Sequence, residues 1–468
     1  MDQITRITNV LKQQTNNKND VNSNLVELTQ LTVKLTPTIE QLLITNGTLK
    51  IVLNLIATHP TNNQQIAQNS FSVLRNVCVS EKISKEFMIN KGFDLLLITF
   101  RNYLHDEKVT ERQLELLINT TRDALSAKQF LLCGLTRSVL TSLRYYSDSQ
   151  QIQQLGIMLI TLLSTSEGLA QELILEGAHY VLLKQFHDCI ERPKRMDRFL
   201  SAFFNLTNSS VTRSIIIGQT NLIQLLVDQL KERMEDETFV QKSFSLFANL
   251  ACTERNILSF IKLDLLNSSL DIISVSYRNT ELCLRVTLFL YNMSCSAVVR
   301  NEIKTIKNSM FVLAKVLKDK LQYQQAVELI LSLLLNVSAK KSNQIQLVKH
   351  GVINSILSAI VTYQTDNKLK NVALQTLSNL SFLKVARNQI AKGGGTNLIL
   401  NILKNNLNDT QTVNSSVSVL MNLSNLEINR KILNYNGTNN LLTIIITKYQ
   451  NNPEILHSAK STLKNLGY

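Results

Sequence analysis

Residues 374–381 read LQTLSNLS, and this short text is one rung of a ladder. It returns as FFNLT (Phe203–Thr207), FANLA (Phe247–Ala251), LYNMS (Leu290–Ser294), LLNVS (Leu334–Ser338) and LMNLS (Leu420–Ser424). The asparagines of the series are Asn76, Asn119, Asn205, Asn249, Asn292, Asn336, Asn379, Asn422 and Asn465. Successive steps are 43, 86, 44, 43, 44, 43, 43 and 43 residues, with Thr161 standing in the slot that the double step skips. So regular a register is an internal repeat, and repeats of this length stack into a solenoid whose units pack only on their neighbours.

Outward from the asparagine, the repeat has a helical period. The residue two before it is Leu74, Leu117, Leu159, Phe203, Phe247, Leu290, Leu334, Leu377, Leu420 or Leu463, always large and apolar, which marks the core between repeats. The asparagine and the positions four, seven and eleven before it share the opposite strip of the same helix, within about 60° of arc. Four before, serine fills six of ten slots, from Ser72 to Ser461. Seven before, the column holds Arg112, Arg198, Lys242 and Arg285. Such a strip, repeated, predicts one solvent-facing surface. In the last copy Lys460 replaces the usual apolar residue five before the asparagine, and Lys464 is close by, as an end repeat with a polar outer face requires.

Marker glycines sit between a short helix and an apolar one: Gly47, Gly92, Gly134, Gly177, Gly218, Gly351, the run Gly393–Gly395, and Gly437. The periods around Lys262 and Ile306 lack one, so a different joint is expected there. Turn chemistry separates the helices at His59–Asn62, at Glu191-Arg192-Pro193 and from Asn405 to Thr410. Residues 1–20, with QQTNNKND from Gln13 to Asp20, read as a polar, flexible lead-in, and 21–468 as a single solenoid.

The chain has 468 residues and a net charge of +14. Residues 301–468 carry 19 Lys/Arg against 7 Asp/Glu, which concentrates the positive charge in the last third. That balance suits acidic partners or an anionic surface, although solvated helix faces explain it equally well. No basic cluster interleaved with stacking aromatics points to nucleic acid. Cys78, Cys133, Cys189, Cys252, Cys283 and Cys295 show neither CxxC nor metal spacing. Cys252 and Cys295 share one repeat position and read as packing residues, in a reducing compartment. No signal peptide or membrane-length apolar run is visible, and Asp2 after the initiator excludes N-myristoylation. Sequons on the ladder, such as Asn379-Leu380-Ser381, belong to the repeat text.

Together the ladder, a period near 43 and the mid-repeat glycine resemble the armadillo family. The resemblance covers about 21–468 and implies an all-α, right-handed α-solenoid superhelix of about ten three-helix repeats with a divergent first unit. It implies further that the third helices line a concave groove. There Asn119, Asn205, Asn249, Asn292, Asn336, Asn379 and Asn422 would bind the backbone of an extended peptide. The chain has no tryptophan, which departs from importin-like members that stack cargo lysines on it. Arg112, Arg198, Lys242 and Arg285 suit an acidic segment instead, as in β-catenin-like members.

Reaction chemistry is not expected. His179, His187 and Cys189 form the one near cluster, and a coincidence of helix edges accounts for it. Gly393–Gly395 precedes a helix, but it fills the marker slot of its repeat. No nucleophile elbow, metalloprotease helix or phosphate loop appears, so no cofactor, metal or catalytic residue is assigned. The expectation is a cytoplasmic, non-enzymatic scaffold or adaptor for another protein. Nuclear or cilium-associated placement and a peripheral membrane contact remain alternatives. Another is a regulator of a folded partner, such as an exchange factor or chaperone cofactor for a small GTPase.

Overall fold

In the computed structural model, which describes residues 2–13, 17–58, 63–188, 190, 193–276 and 279–468, the chain is all-α: 81% is helical. No strand occurs among the described residues. The turns at His59–Asn62 and Glu191–Arg192, and Cys189, lie outside them.

A helix pair, Asp2–Lys12 and Lys18–Thr32, precedes ten three-helix repeats that run from 37 to 466. Lys341–Lys349, Val352–Thr362 and Asn367–Leu380 are a typical repeat: a short first helix, a middle helix, and the long helix carrying the ladder asparagine. Eight of the ladder helices start on side chains suited to accept hydrogen bonds from the free N–H groups of a first turn. Asn63, Asp106, Ser149, Asp236, Asn279, Asp366, Asp409 and Asn452 all do so.

Three expectations need correction. The lead-in is not a polar tail: residues 2–12 form a helix whose Ile4, Ile7 and Leu11 are buried against Lys18–Thr32 and Thr48–Thr58. The polar composition hid a narrow stripe with helical spacing. The glycine-free joint after Lys262 is not built differently, since Asp264 adopts the left-handed conformation (φ 61°) that Gly134 and Gly351 adopt elsewhere. The joint at Ile306 does differ, because a 3-10 turn, Ile303–Thr305, and extended Ile306 follow the short helix Ala297–Glu302 before Asn308 turns left-handed (φ 61°). Aspartate and asparagine are the side chains that best tolerate it. Conversely Gly218 makes no such joint, because the helix Ser210–Gln219 runs through it. At Gly92 the left-handed residue is Lys91, and glycine is needed for another reason: a Cβ there would lie 2.4 Å from the Phe87 ring.

The chain divides into two compact units, 1–225 and 226–468, and each is described by itself. In both, the ladder helices stack on one another and the apolar rung forms the core. Leu74, Leu117, Leu159 and Phe203 are buried in the first unit. So are Phe247, Leu290, Leu334, Leu377 and Leu420 in the second, while Leu463 is half-buried. An edge-to-face cluster of Phe244, Phe247, Phe260 and Phe289 thickens the core of the second unit.

Candidate functional site: the ladder-helix face

The ladder asparagines first serve the fold. The last carbonyls of a helix have no partner within it, and eight of these amides reach across to the end of the long helix before. In the first unit Asn76 Nδ2 donates to Thr29 O (3.1 Å), Asn119 Nδ2 to Arg75 O (3.0 Å) and Asn205 Nδ2 to Thr161 O (3.0 Å). Thr161 thus keeps its rung through its backbone, although it has no amide of its own. In the second unit Asn292 Nδ2 donates to Ala248 O (2.8 Å). The later copies use a serine hydroxyl: Asn336 to Ser294 Oγ (3.0 Å), Asn379 to Ser338 Oγ (3.1 Å), Asn422 to Ser381 Oγ (2.9 Å) and Asn465 to Ser424 Oγ (2.9 Å). All are half-buried, as is Asn249, except Asn422, which is buried.

This bonding changes what the asparagines can offer a peptide. An amide has two N–H donors and one carbonyl acceptor, and one donor is committed to the neighbouring repeat. Asn119 has also committed its acceptor, because Arg122 Nη2 donates to Asn119 Oδ1 (2.9 Å). Arg75 likewise donates to Asn76 Oδ1 (3.1 Å).

The basic column is not a row of free cations. Arg112 pairs with Glu115 (2.9 Å) and Glu111 (3.7 Å), and Arg75 donates to the same Glu115 carboxylate (2.9 Å). Arg285 pairs with Glu281 (2.5 Å) one turn earlier on its own helix. Arg198 is exposed and Lys242 half-buried. Arg112 and Arg198 lie in the first unit, Lys242 and Arg285 in the second.

In the second unit the ladder face opens into a cleft of about 440 Å³ between Thr280–Ser294 and Gln324–Val337, with Lys368 from the next ladder helix at its side. Its floor is Leu284, Leu288 and Leu329, and Tyr291, Gln325 and Ser332 add polar edges. Leu288 and Leu329 occupy the two columns that are mostly polar elsewhere. Two ion pairs flank the leucines, Glu281 with Arg285 and Glu328 with Lys368. Along the sequence Leu288 and Leu329 are exceptions in separate columns; on adjacent helices they meet.

A second repeating device was also missed. One or two turns into the next repeat, a side chain closes the ladder helix's C-terminal end. Arg213 donates to Thr207 O (3.2 Å) in the first unit. In the second, Arg300 donates to Ser294 O (2.8 Å), Arg387 to Ser381 O (3.0 Å) and Arg430 to Ser424 O (3.2 Å). Asn256 and Asn343 reach Leu250 O and Val337 O in the other repeats. The spacing was the available signal: each arginine stands eight residues after its ladder asparagine.

Packing accounts for His179, Cys78, Cys283 and Lys320. His179 is buried beside Tyr180, ring centroids 4.1 Å apart. Burial pushes the Cys78 thiol far above its ordinary range and raises that of Cys283. Cys252 and Cys295, expected inside, are exposed at the corner after the ladder helix. Lys320, which reads as a surface charge in the basic third, is 2% exposed and donates to Thr280 Oγ1 (3.2 Å). Among the described residues no group of His, Cys, Asp and Glu could hold a metal ion. No described helix is by itself long and apolar enough to cross a membrane.

Comparison with known proteins places the fold. A chain from a solved structure described as "A conserved phosphorylation switch controls the interaction between cadherin and beta-catenin in vitro and in vivo" superposes with a TM-score of 0.78. The alignment covers 99% of this chain and 90% of that one at 15% identity. An engineered protein of known structure covers the full length of both chains with a TM-score of 0.52 and 13% identity. The fold is an armadillo-like α-solenoid. Residues 255–466 match the family described as "Rapamycin-insensitive companion of mTOR, N-term", a stretch inside the second unit that amounts to less than half of the chain. No curated protein matches in sequence.

Proposed function

We propose that the chain is a non-enzymatic protein-interaction scaffold that holds an extended segment of a partner on its ladder-helix face. The observation that carries this reading is the leucine-floored cleft on Thr280–Ser294 and Gln324–Val337. An apolar floor supplies burial for one side chain of a bound segment, and charged pairs at the margin fix its direction. The remaining amide N–H and the carbonyl of asparagines such as Asn292 are the groups a peptide backbone would meet. The fold-level likeness to a chain solved in a cadherin and β-catenin study supports the reading by analogy.

An acidic preference belongs to the same proposal. Arg285 now pairs with Glu281 at the surface, where such a pair contributes at most about 1 kcal/mol. A carboxylate on the partner can therefore replace Glu281 at little cost. Cytoplasmic residence is also proposed, in keeping with reduced Cys78 and Cys283 packed as small apolar side chains.

The test is a selection from a random peptide library on the whole protein, followed by titration of the selected peptides. Leu288→Asp with Leu329→Asp is expected to weaken them at least about tenfold, roughly 1.4 kcal/mol, with the thermal melt nearly unchanged. Selected peptides that bind this variant as tightly as the parent would remove the cleft from the proposal.

A further inference from the structure

The first helices of the last three repeats share a composition that the ladder does not explain. They are Lys341–Lys349, Lys384–Lys392 and Glu427–Tyr435. In a helix the first, second, fifth and ninth positions fall within about 100° of arc. On these three helices that arc holds Lys341, Ile345 and Lys349, then Lys384, Val385 and Lys392, then Ile428, Lys431 and Tyr435. The opposite side, with Leu347, Ile390 and Leu433, is buried in the repeat core. The arc itself faces outward: Val385 is 59% exposed, Ile428 50% and Tyr435 92%, and Phe382, just before the middle helix of the three, is 62% exposed.

The charges on this face are lysines. The arginines of the same helices, Arg387 and Arg430, turn away to the carbonyls of the ladder helix. The one acid on the arc, Glu427, is paired with Lys431 (2.9 Å). What remains is a set of flexible ammonium groups interspersed with an aromatic ring, a phenol and branched aliphatics. A polyanion with a hydrophilic backbone has no use for Ile345, Val385 and Ile428. A peptide carboxylate would favour two-point contact with arginine. A bilayer with anionic headgroups uses both components: lysines reach the headgroup phosphates and carboxylates, and the apolar side chains enter the boundary beneath them.

We propose that the outward face of these three first helices docks the second unit on an anionic lipid surface, with Phe382, Val385, Ile428 and Tyr435 inserted at the headgroup boundary. It lies on first helices and uses no residue of the peptide cleft, so the two proposals stand or fall separately.

Sedimentation of the full chain with vesicles tests it. Vesicles of phosphatidylcholine alone are compared with vesicles holding about 30% phosphatidylserine, each at low and high salt. The expected result is binding to the phosphatidylserine vesicles that falls steeply with salt, and little binding to the neutral ones. Lys341→Glu with Lys384→Glu and Lys392→Glu should lower the partition at least about tenfold, and replacement of the same lysines by arginine should preserve it. Phe382→Ser with Val385→Ser and Ile428→Ser should also lower it, at unchanged lysine content. A circular-dichroism melt checks that each variant is folded. Absence of binding by the folded parent chain overturns the proposal, as does binding by the glutamate variant equal to the parent's. Unaltered binding by the serine variant removes the insertion and with it the assigned face. Polyglutamate or duplex DNA bound through the same lysines, with vesicles ignored, would assign the face to another class of partner.

Discussion

The two units close the same ladder with different residues. In the first, the residue two after the asparagine is Cys78, Thr121 or Thr207. The threonine hydroxyls donate backward within their own helix, Thr121 to Leu117 O and Thr207 to Phe203 O, and Asn119 and Asn205 go directly to a backbone carbonyl. In the second unit that residue is serine at Ser294, Ser338, Ser381 and Ser424, and its hydroxyl works in both directions. Asn336 donates to Ser294 Oγ, which donates to Tyr291 O (2.6 Å). The chain repeats through Asn379, Ser338 and Leu335 O (2.9 Å), through Asn422, Ser381 and Ser378 O (2.7 Å), and through Asn465, Ser424 and Met421 O (2.7 Å). The serine hydroxyl thus accepts from the next repeat and donates to its own helix in four successive copies. The asparagine alone makes a ladder; the serine turns it into a relay. The four serine relays lie within 255–466.

The comparison rests on each unit having its own core, and the largest expected effect tests that. Leu377 and Leu117 occupy the same rung, each fully buried. Their replacement by alanine should cost about 2–5 kcal/mol apiece. In a stacked array the damage should stay local: limited proteolysis should cut Leu377→Ala first within 226–468 and Leu117→Ala first within 1–225. Identical cleavage maps would break the division into units.

The relay predicts a smaller, asymmetric effect. Ser381→Ala leaves the buried Asn422 with one long contact, to Ser378 O at 3.3 Å. It should cost about 1–3 kcal/mol, as loss of a partner for a buried polar group does. Thr121→Ala removes one hydroxyl bond within a helix while Asn119 keeps its carbonyl, and should cost about 0.5–1 kcal/mol. Denaturant midpoints of the two variants decide it, and equal losses would show that the relay adds nothing to the ladder.

Much of this was legible in sequence because repetition amplifies weak signals. Ten large residues at one position name the core, and a period of 43 names the solenoid. What escaped was whatever a repeat does with its polar atoms. The same asparagine column can be read as a peptide comb or as the closure of the preceding helix, since an amide suits both. Only the distances to Arg75 O or Ser381 Oγ reveal the second use. Likewise Arg285 and Arg112 read as free cations until the carboxylates on the same and neighbouring helices are placed beside them. The amphipathic stripe of Ile4, Ile7 and Leu11 escaped for a different reason: it occurs once, so no periodicity reinforces it.

The arginine closures sharpen the contrast at about 1 kcal/mol. Arg387 donates to Ser381 O and to Phe382 O (3.1 Å), two carbonyls that the ladder helix leaves open. Arg387→Gln should lower the stability of the second unit by about 1 kcal/mol, read as a lower denaturant midpoint for the protease-resistant fragment within 226–468. Arg213 makes one such bond where Arg387 makes two, so Arg213→Gln should cost less. A larger loss at Arg213 would reverse the ranking of the two units.

The smallest effect appears only in acid, and it separates caps that titrate from caps that do not. Asp409 begins the ladder helix Thr410–Leu423; the Thr412 hydroxyl, followed by the backbone N–H groups of Thr412 and Gln411, holds its carboxyl below the ordinary value of 3.8. At Asp366 the Leu369 N–H, followed by the Gln324 side chain, has the same effect. Asn279 and Asn452 cap other ladder helices of the unit with an amide that carries no charge. A carboxyl whose pKa is lower in the folded chain than in the unfolded one stabilises the fold while ionised. That contribution is complete above about pH 4 and is lost as the pH falls through the folded value. Asp366→Asn with Asp409→Asn keeps an acceptor at both caps and removes the titration. The double variant should therefore match the parent closely at pH 7, and its stability should decline less steeply below pH 3.8. Parallel acid-unfolding curves for the two proteins would mean that these aspartates cap their helices no better as carboxylates than as amides.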